Sequence, residues 1–216
     1  MDKQAFLKAV KEARAKAKKR NFEQSFEISI ALRNVDLKKP ENRIEDFVVL
    51  PKGRGKPVKI AAIVDKELVM QAKKVCDHVI TKDDLKELAG KARQIRKLVR
   101  SYDYFIAQGN LMTEVAKVMG KYLGAKGKMP NPKAGMIITP NTDLKALVER
   151  LRRTVKIAAK KSPVINAPIG SESMSDEDVA DNAHAVYDAV RKKLPLGEQQ
   201  IKRVFIKLTM GPAVKV

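Results

Sequence analysis

The sequence predicts a discontinuous α+β domain, an antiparallel sheet with two helices, built from both chain ends and interrupted by an inserted α/β domain. Three observations predict it. Each end carries one amphipathic helix and two or three short, alternating strands. The middle opens on a continuous apolar strand and then repeats strand and helix four times, the pattern of a doubly wound, Rossmann-like three-layer domain. Neither end stands alone, because a segment of roughly 60 residues buries little surface. The expected boundaries are residues 1–57 with 155–216 for the outer domain and 58–154 for the insert. The chain then crosses between them twice, near Lys56-Pro57 and near Thr154, and two crossings favour hinge-like motion.

The first helix is expected over Lys3–Lys19 with Asp2 as its cap. Phe6, Val10, Ala13 and Ala17 form its apolar stripe, and lysines crowd its other faces. A strand follows from Ser25 to Arg33, with Phe26, Ile28, Ile30 and Leu32 inward and Ser25, Glu27 and Ser29 outward. Asn34 to Asp46 is a polar excursion broken by Pro40. Phe47–Leu50 is a short strand ended by Pro51.

The character changes at Lys59. Ile60–Val64 is the apolar run of a strand buried on both faces. Asp65 caps a helix with Leu68, Val69, Ala72, Val75 and Cys76 on one side. Val79-Ile80 is a strand, and Thr81 caps one long helix with Leu85, Leu88, Ala92, Ile95 and Val99 inward. Tyr104–Ala107 is a strand, followed by a helix with Val115, Val118, Met119 and Tyr122 and by a Gly/Pro/Lys loop from Gly124 to Gly135. Met136–Thr139 and a helix with Leu144, Leu147, Val148 and Leu151 complete the repeat.

Beyond Thr154 the outer pattern returns. Val155–Ala158 and Val164-Ile165 are short strands, and Asn166–Gly170 is a turn. Ser175 and Asp178 form a capping box that opens a helix to Lys193. The last strand, from Arg203, points Val204, Ile206 and Leu208 one way and Arg203, Phe205, Lys207 and Thr209 the other. It runs into Met210-Gly211-Pro212, where glycine allows close approach of backbone and proline stops further pairing.

Composition narrows the function. The 216 residues carry 45 Lys plus Arg against 25 Asp plus Glu, a net charge of +20. Such a surplus repels itself and is tolerated where the usual partner is a polyanion. The insert and the two ends share the excess equally, so the whole surface is cationic rather than a neutral body with a basic tail. A membrane is not the expected partner: no apolar run approaches the ~20 residues of a spanning helix, and no signal-peptide core or lipidation motif is evident. A single cysteine, Cys76, fits a reducing cytoplasm.

Enzyme chemistry finds little support. Gly53-Arg54-Gly55-Lys56 lacks the spacing of a phosphate loop, and Pro57 stands where Ser or Thr is needed. Gly120, Gly124 and Gly127 miss the dinucleotide fingerprint. His78 and His184 are far apart, and Cys76 sits on the apolar side of its helix. Asp83-Asp84 suit a helix N-terminus. No metal site and no cofactor are expected. The loop Lys126–Lys133 is rigid at two prolines, presents three lysines and reads either as a solvated crossover or as a partner contact. Phe22, Ser25 and Glu27 set an aromatic, a hydroxyl and a carboxylate beside a basic helix end. Each has an ordinary structural explanation, yet together they suit stacking and 2′-hydroxyl recognition.

Five ordered segments carry a resemblance over essentially the full length. They are Phe22–Leu32, Leu50-Pro51-Lys52-Gly53-Arg54-Gly55-Lys56, Met129-Pro130-Asn131-Pro132-Lys133-Ala134-Gly135, Asn166-Ala167-Pro168-Ile169-Gly170 and Thr209-Met210-Gly211-Pro212. The chain resembles the family of the large-subunit ribosomal protein of the mobile stalk, in the short form of archaeal members. The resemblance implies a non-enzymatic, cytoplasmic ribosomal protein, a monomer when free. Its implied partners are large-subunit rRNA, the tRNA leaving the ribosome and its own mRNA, whose translation it would repress. The family's RNA contact positions that match are Phe22, Ser25, Glu27, Thr209, Met210 and Gly211; Lys207 is expected beside them, with Asn166, Lys161, Lys128 and Lys133 as secondary contacts. Asn21 stands where many relatives have Lys, and Lys207-Leu208 replace a Thr-rich stretch of bacterial members. The Thr209 hydroxyl, Met210 and the Gly211 backbone are expected at the ribose edge. Two competing classes are a nucleotide-dependent enzyme using the α/β domain and a nonspecific polyanion binder.

Overall fold

A computed structural model describes residues 2–39, 42–160 and 162–216. From the amino end run α1 (Lys3–Lys16), β1 (Ser25–Leu32) and β2 (Ile44–Val49). The middle contains β3 (Ile60–Ile63), α2 (Val69–Val75), β4 (His78–Ile80), α3 (Lys82–Leu88), α4 (Ala92–Ser101) and β5 (Tyr104–Gln108). It continues with α5 (Met112–Ala125), β6 (Ile137–Ile138) and α6 (Leu144–Arg152). The end holds β7 (Thr154–Ala159), β8 (Val164–Ser171), α7 (Asp176–Lys193), β9 (Ile201–Leu208) and β10 (Val214–Lys215).

The chain divides into two compact units, one of residues 1–56 with 153–216 and one of residues 57–152. The division lies one or two residues from the expected 57 and 154. Arg153 belongs with the ends because its guanidinium donates to the carbonyls of Leu50 and Pro51, and Thr154 belongs there because it opens β7.

In the first unit the strands lie in the order β10-β9-β1-β8, all antiparallel. Phe26, Ile28, Ile30, Val204, Ile206 and Leu208 bury one face under α1 and α7. The apolar stripe of α1 is Phe6, Ala9, Val10 and Ala13, and Phe6 meets Tyr187 of α7 with ring centroids 5.6 Å apart. Burial of one such aliphatic or aromatic side chain contributes about 1.5–3 kcal/mol. Asn182, wholly buried on α7, accepts from Lys52 N–H and donates to the carbonyls of Gly53 and Ile169, so the 50–53 turn is pinned to the helix.

Several expectations for this unit change. The helix α1 ends at Lys16, not Lys19: Ala17 is extended, and Lys18 O accepts from Gln24 Nε2, which draws the cationic tail out of helical register. Asp2 makes no side-chain cap; only its carbonyl takes Ala5 N–H. The ends do not make one sheet, because β2 pairs only with β7 in a separate two-stranded ladder, and β2 begins at Ile44 rather than Phe47. Asn166–Gly170 is strand rather than turn. Its proline is tolerated because β8 is the outer strand of its sheet, and the register with β1 shifts between Phe26 and Glu27. Pro212 does not end pairing: it follows the turn closed by Gly211 N–H to Leu208 O, and Val214 and Lys215 then return onto β9. Pro40, expected to break the polar excursion, falls outside the described residues.

The second unit is a four-stranded parallel sheet in the order β4-β3-β5-β6. Ala61, Ile63, Phe105 and Ala107 share one cluster with α3, α4 and α5, while α2 and α6 contact each other. The expected long helix after Thr81 is two helices. Gly90 adopts φ +80° between them, a conformation that glycine takes without steric cost. The expected strand at Met136–Thr139 shortens to Ile137–Ile138, between left-handed Gly135 and the turn closed by Thr142 N–H to Thr139 O.

Candidate nucleic-acid interface

Strand alternation places the polar residues of β1 and β9 opposite the helices. Register then sets them in rows across the sheet. Glu27 lies between Lys207 on β9 and Pro168 on β8. The next row runs Lys215, Phe205, Ser29 and Asn166. Arg203 pairs with Ala31 one row further on. Ser25, Glu27, Ser29, Phe205 and Lys207 are half-buried, and Arg203, Lys215 and Asn166 are exposed. This is a rigid, mostly cationic face with hydroxyl, amide and carboxylate groups among the lysines.

At its rim two segments far apart in sequence are locked together. Thr209 N–H donates to Ser25 O at 3.1 Å, and Ser25 N–H donates to Thr209 Oγ1 at 3.1 Å. The Thr209 hydroxyl in turn donates to Ser25 O at 3.3 Å. Its proton is therefore engaged, and toward a ligand the hydroxyl can act only as an acceptor. Gln24 completes the lock. It is wholly buried, its Oε1 accepts Met210 N–H at 3.0 Å, and its N–H donates to Glu172 Oε2.

What this lock presents is unusual for a surface. Met210 is 56% exposed and Phe22, two residues before Gln24, is 51% exposed. Gly211 is packed tightly: an added Cβ would lie 3.3 Å from the Cβ atoms of Ala17 and Leu208. Its φ is not in the left-handed region, so the requirement for glycine here is internal packing against the end of α1.

Neighbouring charge reinforces the rim. Glu23 accepts from the hydroxyls of Ser171 and Ser173, the latter at 2.7 Å, and these bonds hold its carboxyl below the ordinary carboxylate range. Lys56 Nζ donates to Glu23 O at 2.8 Å. The Gly53–Lys56 segment is thus bound to the protein itself. Gly55 has φ +70°, and a Cβ there would sit 2.6 Å from Met174 Sδ and 2.7 Å from Ser171 Cβ.

The remaining expected contacts are dispersed. Lys128 and Lys133 belong to the second unit. Lys133 is exposed on a short helical turn. Lys128 is half-buried, with Nζ donating to the carbonyls of Val99 at 2.9 Å and Tyr102 at 2.6 Å, and desolvation lowers its pKa. Two of its three donors therefore serve the end of α4. Lys161 lies outside the described residues. Gln24, Phe205, Ser29 and Lys215 were not singled out as contacts from the sequence. Alternation could have found Phe205 and Ser29, but nothing local signals that Gln24 reaches Met210, 186 positions away.

Among the described residues no group of three or more His, Cys, Asp or Glu could hold a metal ion, and no helix is long and apolar enough to cross a membrane. Cys76 is unsuited to nucleophilic work, since burial first and Asp77 second push its thiol up to about 11.

The large ribosomal subunit protein uL1 of Thermococcus kodakarensis is 50% identical over 216 residues, covering 100% of this chain and 98% of the relative. Those of Methanocaldococcus jannaschii and Nanoarchaeum equitans are 47% and 46% identical, covering 100% and 96% of this chain and 96% and 97% of their own. The model of the ribosomal protein L1p/L10e family matches residues 11–212, a span that begins within α1 and closes on the Met210–Pro212 turn. With its full length matched by such relatives and both halves of the locked rim inside the family's span, the chain belongs to the ribosomal protein L1p/L10e family.

Proposed function

We propose that this chain is a non-enzymatic structural constituent of the cytoplasmic large ribosomal subunit, and that it binds an rRNA stem at the mobile stalk through the rim built by its two ends. In this reading residues 1–56 and 153–216 are the RNA-binding domain, and residues 57–152 are an inserted Rossmann-like three-layer domain that makes further RNA contacts. The protein then assists release of deacylated tRNA and represses translation of its own mRNA, which offers a similar stem. The observation that carries this reading is the exposed Met210 side chain, whose backbone N–H is held by buried Gln24 beside the Ser25–Thr209 bonds, with Phe22 exposed two residues before Gln24.

The physics favours ribose over base. A-form RNA hides its major-groove edges and displays 2′-hydroxyls in a shallow minor groove. A flat sheet rim with a thioether, an aromatic ring, a carboxylate and an acceptor hydroxyl fits such a surface. The lysines around it add a salt-dependent, weakly specific term. In a titration at fixed salt, the protein binds a structured rRNA stem more tightly than a random RNA duplex of equal length. Met210→Ala lowers the stem affinity and leaves the duplex affinity nearly unchanged. Equal affinity for stem and duplex would instead describe a nonspecific polyanion binder, and calorimetric saturation by a nucleotide would describe an enzyme.

A further inference from the structure

The second unit carries a charge imbalance that the rim does not use. Residues 88–102 and 115–142 contain no Asp or Glu, yet each holds five Lys or Arg. On α4, Arg93, Arg96, Lys97 and Arg100 are all exposed, as are Lys117 and Lys121 on α5 and Lys126 just beyond it. Helical geometry places residues three and four apart on one face, so Arg93, Arg96 or Lys97, and Arg100 form a single row about 10 Å long.

The row borders a groove between α4 and α5 of about 260 Å³. Arg96, Arg100, Lys121 and Lys126 wall it, and Val99, Tyr122 and Ala125 give it an apolar surface. The Arg96 guanidinium lies 5.9 Å from the centroid of the Tyr122 ring. A second depression, lined by Arg93, Arg96, Lys97, Arg100 and Ser101, continues it along α4. Clustered cations without neighbouring carboxylates repel one another, and a polyanion relieves that cost.

We propose that the α4–α5 groove is a second RNA site, which takes the phosphodiester backbone of one strand against its arginines and lysines and a ribose or base against Tyr122. The spacing of the row suits successive phosphates. Guanidinium groups bond phosphate oxygens in pairs, and an aromatic surface accepts any base, so recognition there is sequence-tolerant. This inference rests on the RNA-binding reading above but names a separate surface, so either can fail without the other.

The test uses the full chain with Arg93, Arg96 and Arg100 all changed to Gln. The probes are a uridine oligonucleotide, a random RNA duplex and a polyglutamate of matched charge. For the oligonucleotide, the triple variant loses about tenfold in affinity, and the slope of log K against log salt falls by about 2, three cations at ~0.7 each. Ultraviolet crosslinks of the oligonucleotide map to peptides of α4 and α5. A like loss on the duplex identifies one strand of a helix as an acceptable source of the backbone; a loss confined to the oligonucleotide identifies unpaired RNA. All the changed side chains are exposed, and an unaltered thermal melt confirms that the variant folds. The proposal is overturned if the triple variant binds both RNAs with the affinity and salt slope of the parent. It is equally overturned if polyglutamate binds the parent as tightly as the oligonucleotide does and loses as much with the triple variant, which would make the groove a site for acidic protein.

Discussion

At the scale of single residues, the side chain that most shapes the rim is one that no ligand would touch. Gln24 is wholly buried and bonds Lys18 O, Glu172 and Met210 N–H, so it joins the end of α1, the start of β1 and the turn after β9. Replacing it with Leu leaves Lys18 O and Met210 N–H without these partners, while the backbone bonds to Glu172 remain. Orphaning a buried polar group costs about 1–3 kcal/mol, so Gln24→Leu should lower unfolding free energy by that amount in a urea titration. It should also weaken binding of a structured stem without changing the salt slope, because it removes no cation. Normal stability together with normal binding would show that the lock does not organise Met210. Thr209 illustrates the limit of reading a hydroxyl from sequence. Its type and place were legible, but its proton is already given to Ser25 O.

At the scale of elements, the β2–β7 ladder shows how charge pairs add to a small sheet. Glu45 on β2 accepts from Lys156 on β7 and from Lys160 just after it, at 2.8 and 2.7 Å. These hydrogen bonds hold its carboxyl below the ordinary 4.5. A carboxyl depressed on folding stabilises the protein fully above its unfolded value and loses that contribution as pH falls through its folded value. The pair is part-exposed and screened, so the gain is a few tenths to about 1 kcal/mol. Stability measured from pH 7 down to pH 3 should therefore fall less steeply in Glu45→Gln than in the parent, with the two curves converging at the acid end. Parallel curves would show that the lysines contribute nothing there. The apolar periodicity of β1, β9 and α7 was fully readable, because each buries one face. The partner of β2 was not, since alternation says which face is buried but not which strand lies alongside.

At the scale of the whole molecule, a net charge of +20 spread over both units makes RNA affinity strongly dependent on salt. Release of counterions from 6–10 neutralised phosphates corresponds to about 10³–10⁵ in affinity between 50 and 200 mM salt. Binding of the full chain to a random RNA duplex should fall by an amount in that range. Its preference for a structured stem should persist, because the hydrogen bonds and apolar contacts of the rim do not depend on counterions. A preference that vanishes at the higher salt would mean that charge alone selects the RNA.

The order of residues by itself determined the amphipathic helices, the buried faces of the strands, the parallel insert between two antiparallel ends and the cationic character of the surface. All follow from local periodicity and composition, which act over a few residues. Tertiary structure alone decided that Gln24 holds Met210, that Asn166–Gly170 runs as an outer strand, that Lys128 serves the end of α4 and that the arginines of α4 border the lysines of α5. Those outcomes depend on groups brought together from distant parts of the chain, where hydrogen-bond satisfaction and packing, not propensity, choose the arrangement.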